Sequence, residues 1–220
     1  MTAYDVAKQL PGASELREHC RGLAMAEAIL SPEWENRYYS FNNTWAPNVQ
    51  LASMRDGCGD EYAAVFSVQG VYLRGFAHET PVSPYVNDGM IWPGVCDTLP
   101  DAFRPFLEEP AFRDENGTPL LTCCLWRRPD DESWRTGLID YPVADLDPDG
   151  ADDLFMLLTD RSPQCYVEFA EDYYETPVDV VAVQELLTGQ PLTQALVTAL
   201  NPEVSLKDLA ADIAEIGYRC

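Results

Sequence analysis

A chain of 220 residues with 14 basic and 37 acidic side chains carries a formal charge of −23, while 46% of it is hydrophobic and 11% aromatic. The apolar share excludes a disordered acidic tail, and the charge excludes nucleic acid and anionic membrane as natural partners while favouring cations and basic proteins. The imbalance grows along the chain: residues 1–135 hold 11 basic and 20 acidic side chains, net −9, and residues 136–220 hold 3 and 17, net −14.

The opening MTAYDVAKQLPGA lacks the basic start and apolar stretch of a secretory leader. No apolar run reaches the roughly 18–20 residues that cross a bilayer, so a cytoplasmic protein is expected. Residues 14–30 then read as a helix, with Ser14 as cap, Leu16, Cys20, Leu23 and Ala24 on one face, and Ser31-Pro32 as stop. From Asn36 the pattern turns β-rich, through RYYSF and VQLASM to YAAVFSV and VYLRGF, a hairpin whose turn is read at Gln69-Gly70. Between Thr80 and Pro119 six prolines exclude ladder and helix alike, which predicts a long ordered excursion with one short helix near 101–108. LLTCCLW and WRTGLID, joined by RRPDDES, give a second strand pair.

From Asp149 helix signals recur. A helix is read over 151–159, Ser162-Pro163 opens another, Thr176 to Asp179 resembles a capping box, and Ser205 to Asp208 repeats it before a helix closed by Gly217. The expectation is a single α+β domain over 1–220, with an antiparallel sheet in the N-terminal two thirds (a sheet-rich lobe at 33–145) and a helical C-terminal third (149–217) sharing one core.

Seven cysteines form an odd set without CxxC or zinc spacing, so reduced thiols are expected, with Cys123 and Cys124 buried. Two histidines, His19 and His78, are too few for a histidine-rich metal site, and GxSxG, GxxxxGK[ST], GxGxxG and HExxH are all missing. The best metal motif is Asp145, Asp147, Asp149, Gly150 and Asp153, whose spacing follows a calcium loop. Met156 stands where the closing Glu belongs, leaving at most a partial Ca2+ or Mg2+ site and, as the alternative, an acidic turn in which Asp149 or Asp152 caps the next helix. No cofactor is otherwise expected.

Around the first hairpin, Cys58, Asp60 and Glu61 enter and His78 leaves, so antiparallel pairing brings a thiol, carboxylates and an imidazole to one end. These are the candidate catalytic residues. For binding, Glu168, Glu171, Asp172 and Glu175 interleave with Tyr173 and Tyr174, an acidic surface with an aromatic handle, and Tyr85 and Trp92 are the aromatics expected to be exposed in the proline-rich excursion.

The stretches SFNNTW, MRDGCGDEY, GFAHETPVSPY, WPGVCD, FAEDYYE and LNPEVSLKDLAADIAEIGY resemble a family of uncharacterised acidic bacterial cytoplasmic proteins of about 200 residues. The resemblance implies one domain unit and a bacterial cytoplasm, and it brings no catalytic residues. Charge and missing signatures together lead to an expected non-enzymatic acidic binding protein, of the immunity or inhibitor type, that neutralises a basic protein such as a nuclease toxin. The alternative is a small hydrolase or transferase, metal-assisted or not, working through Cys58, Asp60, Glu61 and His78.

Overall fold

The structure, a computed structural model, describes residues 1–143 and 147–220. In chain order the elements are helices α1 (Ala3–Gln9) and α2 (Ala13–Leu30), strands β1 (Tyr39–Ala46), β2 (Val49–Arg55), β3 (Glu61–Ser67), β4 (Gly70–Phe76), β5 (Cys123–Arg127) and β6 (Arg135–Thr136), then helices α3 (Ala151–Leu154), α4 (Met156–Thr159), α5 (Pro163–Tyr174), α6 (Val180–Leu187), α7 (Gln194–Leu200) and α8 (Ala210–Ile216). This is an α+β chain with antiparallel strands in its N-terminal two thirds and helices in the rest. It divides into two compact units, Met1–Ala13 with Arg55–Met156 and Ser14–Met54 with Leu157–Cys220. Among the described residues no helix is long and apolar enough to cross a membrane.

In the first unit β3, β4 and β5 pair antiparallel, with β6 adding two residues beside Leu125 and Trp126. The register Ser67↔Gly70 makes Val68-Gln69 the turn, one residue earlier than the sequence suggests. Gly70 serves a different need: at φ 120° it lets the Arg127 carbonyl approach to 2.1 Å from where a Cβ would stand. Every residue of β4 is buried, including Arg74, whose guanidinium lies 4.8 Å above Phe112 and 2.5 Å from the Glu61 carboxylate. Cys123 and Cys124 are fully buried beside it, as their apolar setting predicts, and burial drives both thiols well above their usual range. The excursion after β4 is ordered by short stretches of 3-10 helix at 84–86, 104–108 and 110–112, and Tyr72 stacks on Phe103 and Phe106 from it.

In the second unit β1 and β2 form a hairpin around Pro47-Asn48. Proline fixes the first turn position and Asn48 tolerates φ 60° at the second, as a type II turn requires. Helix α2 buries Leu16, Cys20, Leu23 and Ala24 as expected, with Ser14 inside its first turn. Ser162 caps α5, its hydroxyl accepting the Cys165 N–H at 3.3 Å. The cap of α6 is Asp179, which accepts the Val181 and Ala182 N–H groups at 2.8 and 2.9 Å; Thr176 is diverted to the Tyr174 carbonyl. Ser205 and Asp208 hold each other one turn ahead of α8, and Gly217 at φ 69° ends that helix. The helix read across 151–159 is broken at Phe155, whose buried ring and non-helical backbone separate α3 from α4. Helix α7, capped by Thr193, escapes the sequence reading.

Candidate functional site

In the first unit, Asp60 immediately precedes β3 and His78 follows β4 by two residues, so the Glu61↔Phe76 pairing sets them side by side. The His78 Nδ1 lies 2.6 Å from Asp60 Oδ1, which also accepts the His78 backbone N–H at 2.8 Å. This hydrogen bond raises the imidazole above its usual pKa, against a smaller opposing effect of burial. Both residues line a pocket of about 240 Å³ together with Asp147 and Asp153. Two regions that look separate in sequence, the hairpin ends and the Asp-rich loop, therefore share one cavity.

Two acids of that loop already have a task. Asp147 accepts the Asp152 and Asp153 N–H groups at 3.1 and 3.3 Å, capping α3, and burial lifts its carboxyl to about 6. Asp149 is fully buried; it accepts the Ala3 N–H at 3.0 Å, the Ala151 N–H at 3.2 Å and the Tyr141 hydroxyl. Asp153 lines the pocket, and Asp145 lies outside the described residues. Among the described residues no three His, Cys, Asp or Glu side chains converge as metal ligands. The α3 cap is thus shared by Asp147 and Asp149.

The four hairpin candidates separate. Asp60 and His78 meet, whereas Glu61 is held by Arg74 and Cys58 is exposed on the turn that Asp56 ties through the N–H groups of Cys58, Gly59 and Asp60 at 2.7, 2.9 and 3.0 Å. Among the described residues no hydrogen bond joins Cys58 to His78. The pair can carry a proton, and among the described residues no thiol is hydrogen-bonded to it. His19, in the second unit, is buried with Nε2–H donating to the Leu157 carbonyl at 2.7 Å, and burial lowers its pKa to about 4.

The second unit places the binding candidates on α5. Glu168, Glu171, Asp172 and Glu175 fall at i, i+3, i+4 and i+7, one face of the helix, and all four are exposed. The opposite face buries Tyr166 and Ala170. Tyr173 is 44% exposed and stacks on Phe169, with Tyr38 packed edge-on against both rings at 5.1 and 4.8 Å. Tyr174 turns inward instead, its hydroxyl donating to Glu27 at 2.5 Å. Four of the six cations of this unit are engaged elsewhere: Arg17 and Arg21 with Glu18, Arg37 with Asp212, Arg161 with Glu15.

Glu27 is the residue that sequence reasoning misses. Fully buried in α2, it accepts the Tyr38 and Tyr39 N–H groups at 2.7 and 3.2 Å and the Tyr166 hydroxyl at 2.7 Å besides Tyr174. Burial raises its pKa, and the four donors pull the other way. The signal was present: Leu16, Cys20, Leu23 and Glu27 share one helical stripe, and an acid on an apolar stripe needs internal partners. Of the excursion aromatics, Tyr85 is 54% exposed with its ring edge-on to Phe76, whereas Trp92 is half-buried and donates its indole N–H to the Asp140 carbonyl at 3.0 Å.

No family model, curated protein or solved structure matches the chain. Its functional reading therefore rests on geometry and charge.

Proposed function

We propose that this protein is a non-enzymatic binding protein that captures a basic protein on the acidic face of α5, with Tyr173 as an aromatic anchor. One observation carries the reading. Glu171, Asp172 and Glu175 crowd the C-terminal turn, where the helix dipole is already negative, with no basic residue in that turn. Each such acid costs about 0.3–1 kcal/mol, and Glu175 adopts φ 52°, a conformation that suits glycine or asparagine better. A partner that brings positive charge relieves this repulsion. The Glu27 bonds to Tyr166 and Tyr174 fix the helix beforehand, so little ordering is left for binding to supply. An immunity or inhibitor protein acting on a basic nuclease toxin is the form that matches this charge.

The test compares immobilised full-length protein with an Asp172→Lys/Glu175→Lys variant in extracts of the native cells. The wild type is expected to retain a basic protein at low salt and release it at about 0.5 M, where screening acts within a few ångströms. Retention of the same proteins by both forms overturns the proposal. A second reading, proton-transfer catalysis by a small hydrolase or transferase, is favoured by the Asp60–His78 pair in its pocket. It requires that His78→Gln abolish the biological phenotype while leaving thermal stability unchanged.

A further inference from the structure

In the first unit, α1 and the β5–β6 hairpin border a groove of about 750 Å³ for which the sequence motifs assign nothing. Tyr4 and the 76% exposed Leu138 provide accessible apolar walls over a buried floor of Trp126 and Trp134, and Lys8, Arg128 and Arg135 stand around them. Among the described residues three basic side chains and no acidic one line this groove, Lys8 being also paired with Asp5 at 2.8 Å. Floor and wall are fixed: the Trp134 indole donates to the Pro11 carbonyl at 2.7 Å, and the Tyr4 hydroxyl accepts the Ile139 N–H at 2.6 Å.

Asp131, just outside the groove, organises the cations. It accepts the Arg128 backbone N–H at 2.9 Å and Arg128 Nη2 at 3.1 Å, and lies 3.5 Å from Arg135 Nε. Arg128, with a smaller contribution from Arg135, holds this carboxyl below the usual carboxylate range. A single carboxylate thus orients two guanidiniums toward one place. Among the described residues, Arg128 Nη1 and both terminal nitrogens of Arg135 have no partner within the chain.

We propose that this groove binds a small anion with an aromatic body, its acidic head (carboxylate, sulfonate or phosphate) on Arg128 and Arg135 and its ring between Tyr4 and Leu138, above the buried Trp126 and Trp134. The volume lies in the range of small-ligand pockets. Guanidinium forks match planar or tetrahedral oxyanions, and the overall charge of −23 disfavours long polyanions, which leaves a small ligand.

Titration of the full chain with 1-anilinonaphthalene-8-sulfonate, read by dye fluorescence and tryptophan quenching, tests this. One saturable site is expected, with the uncharged N-phenyl-1-naphthylamine bound about tenfold more weakly. Arg135→Gln, at a side chain 58% exposed and thus safe for folding, should weaken the dye by about tenfold with an unchanged melting temperature. Lys8→Gln should give a smaller loss. Displacement of the dye by 2-naphthoate or by AMP identifies the head group as carboxylate or phosphate. Equal affinity for the uncharged dye, an unaffected Arg135→Gln variant, or displacement by neither competitor overturns the proposal.

Discussion

The two units carry comparable charge, with 8 basic and 21 acidic residues (net −13) in the first and 6 and 16 (net −10) in the second, yet they deploy it in opposite ways. The first gathers cations beside aromatic walls, using Asp131 to aim them. The second pairs four of its six cations with Glu15, Glu18 and Asp212 and, among the described residues, none with the α5 acids, of which Glu171 accepts the Val178 N–H at 3.0 Å. Each also holds one carboxylate fully out of solvent, Asp149 in the first and Glu27 in the second. The contrast teaches that net charge alone says little about a surface; which counterions are already engaged decides what it can bind.

The buried acids give the largest effect. Glu27 receives four hydrogen bonds, two of them from phenols of α5, whereas Asp149 receives three, one of them from a neighbouring backbone N–H. Glu27→Ala strands two hydroxyls and two N–H groups inside the second unit and should lower unfolding stability by about 4 kcal/mol. Asp149→Ala should cost about 2 kcal/mol. Chemical denaturation of both variants checks the order, and a larger loss for Asp149→Ala breaks the comparison.

Acid separates the units next. His19 in the second has a folded pKa of about 4 against an ordinary 6.5. Between those values only the unfolded chain takes up the proton, so its contribution is complete above about pH 6.5 and is lost toward pH 4, by about 3 kcal/mol. Asp147 in the first has the opposite sign: its folded pKa of about 6 lies above the ordinary 3.8, so its contribution is greatest below pH 3.8 and declines until about pH 6. Asp147→Asn keeps an acceptor for the α3 cap and should flatten that slope, gaining about 1 kcal/mol at neutral pH after solvent screening. NMR titration of the two histidines sharpens the point, with one imidazole expected near 4 and His78 above 6.5.

Local devices were readable in the sequence because they act over a few residues. Ser162 at its cap, Gly217 at its left-handed stop, the proline-ordered excursion and the buried Cys123-Cys124 pair all follow from short-range chemistry. The misreadings have a common cause in distant partners. Gly70 resembles a turn residue and in fact makes room for the Arg127 carbonyl. Tyr174 resembles a surface handle and is claimed by Glu27, 147 residues away. The aromatic groove draws on residues 4 to 8, 98 to 100 and 126 to 138, which no local pattern joins. Only the Asp60–His78 meeting was accessible, since hairpin register alone brings those two together.

The smallest effect bears most directly on function. Glu175 ends α5 at φ 52°, with its negative charge at the negative end of the helix. Glu175→Gly removes both penalties at once and should stabilise the protein by about 1 kcal/mol, whereas Glu168→Gln, on the same face but away from that end, should change stability by less than about 0.3 kcal/mol. A residue kept for packing cannot behave this way, since its removal costs stability. Thermal denaturation at low and high salt separates the two contributions, because salt screens the dipole and leaves the backbone gain intact. Loss of stability in Glu175→Gly would mean that the acidic turn is structural, and the binding face on α5 would lose its main support.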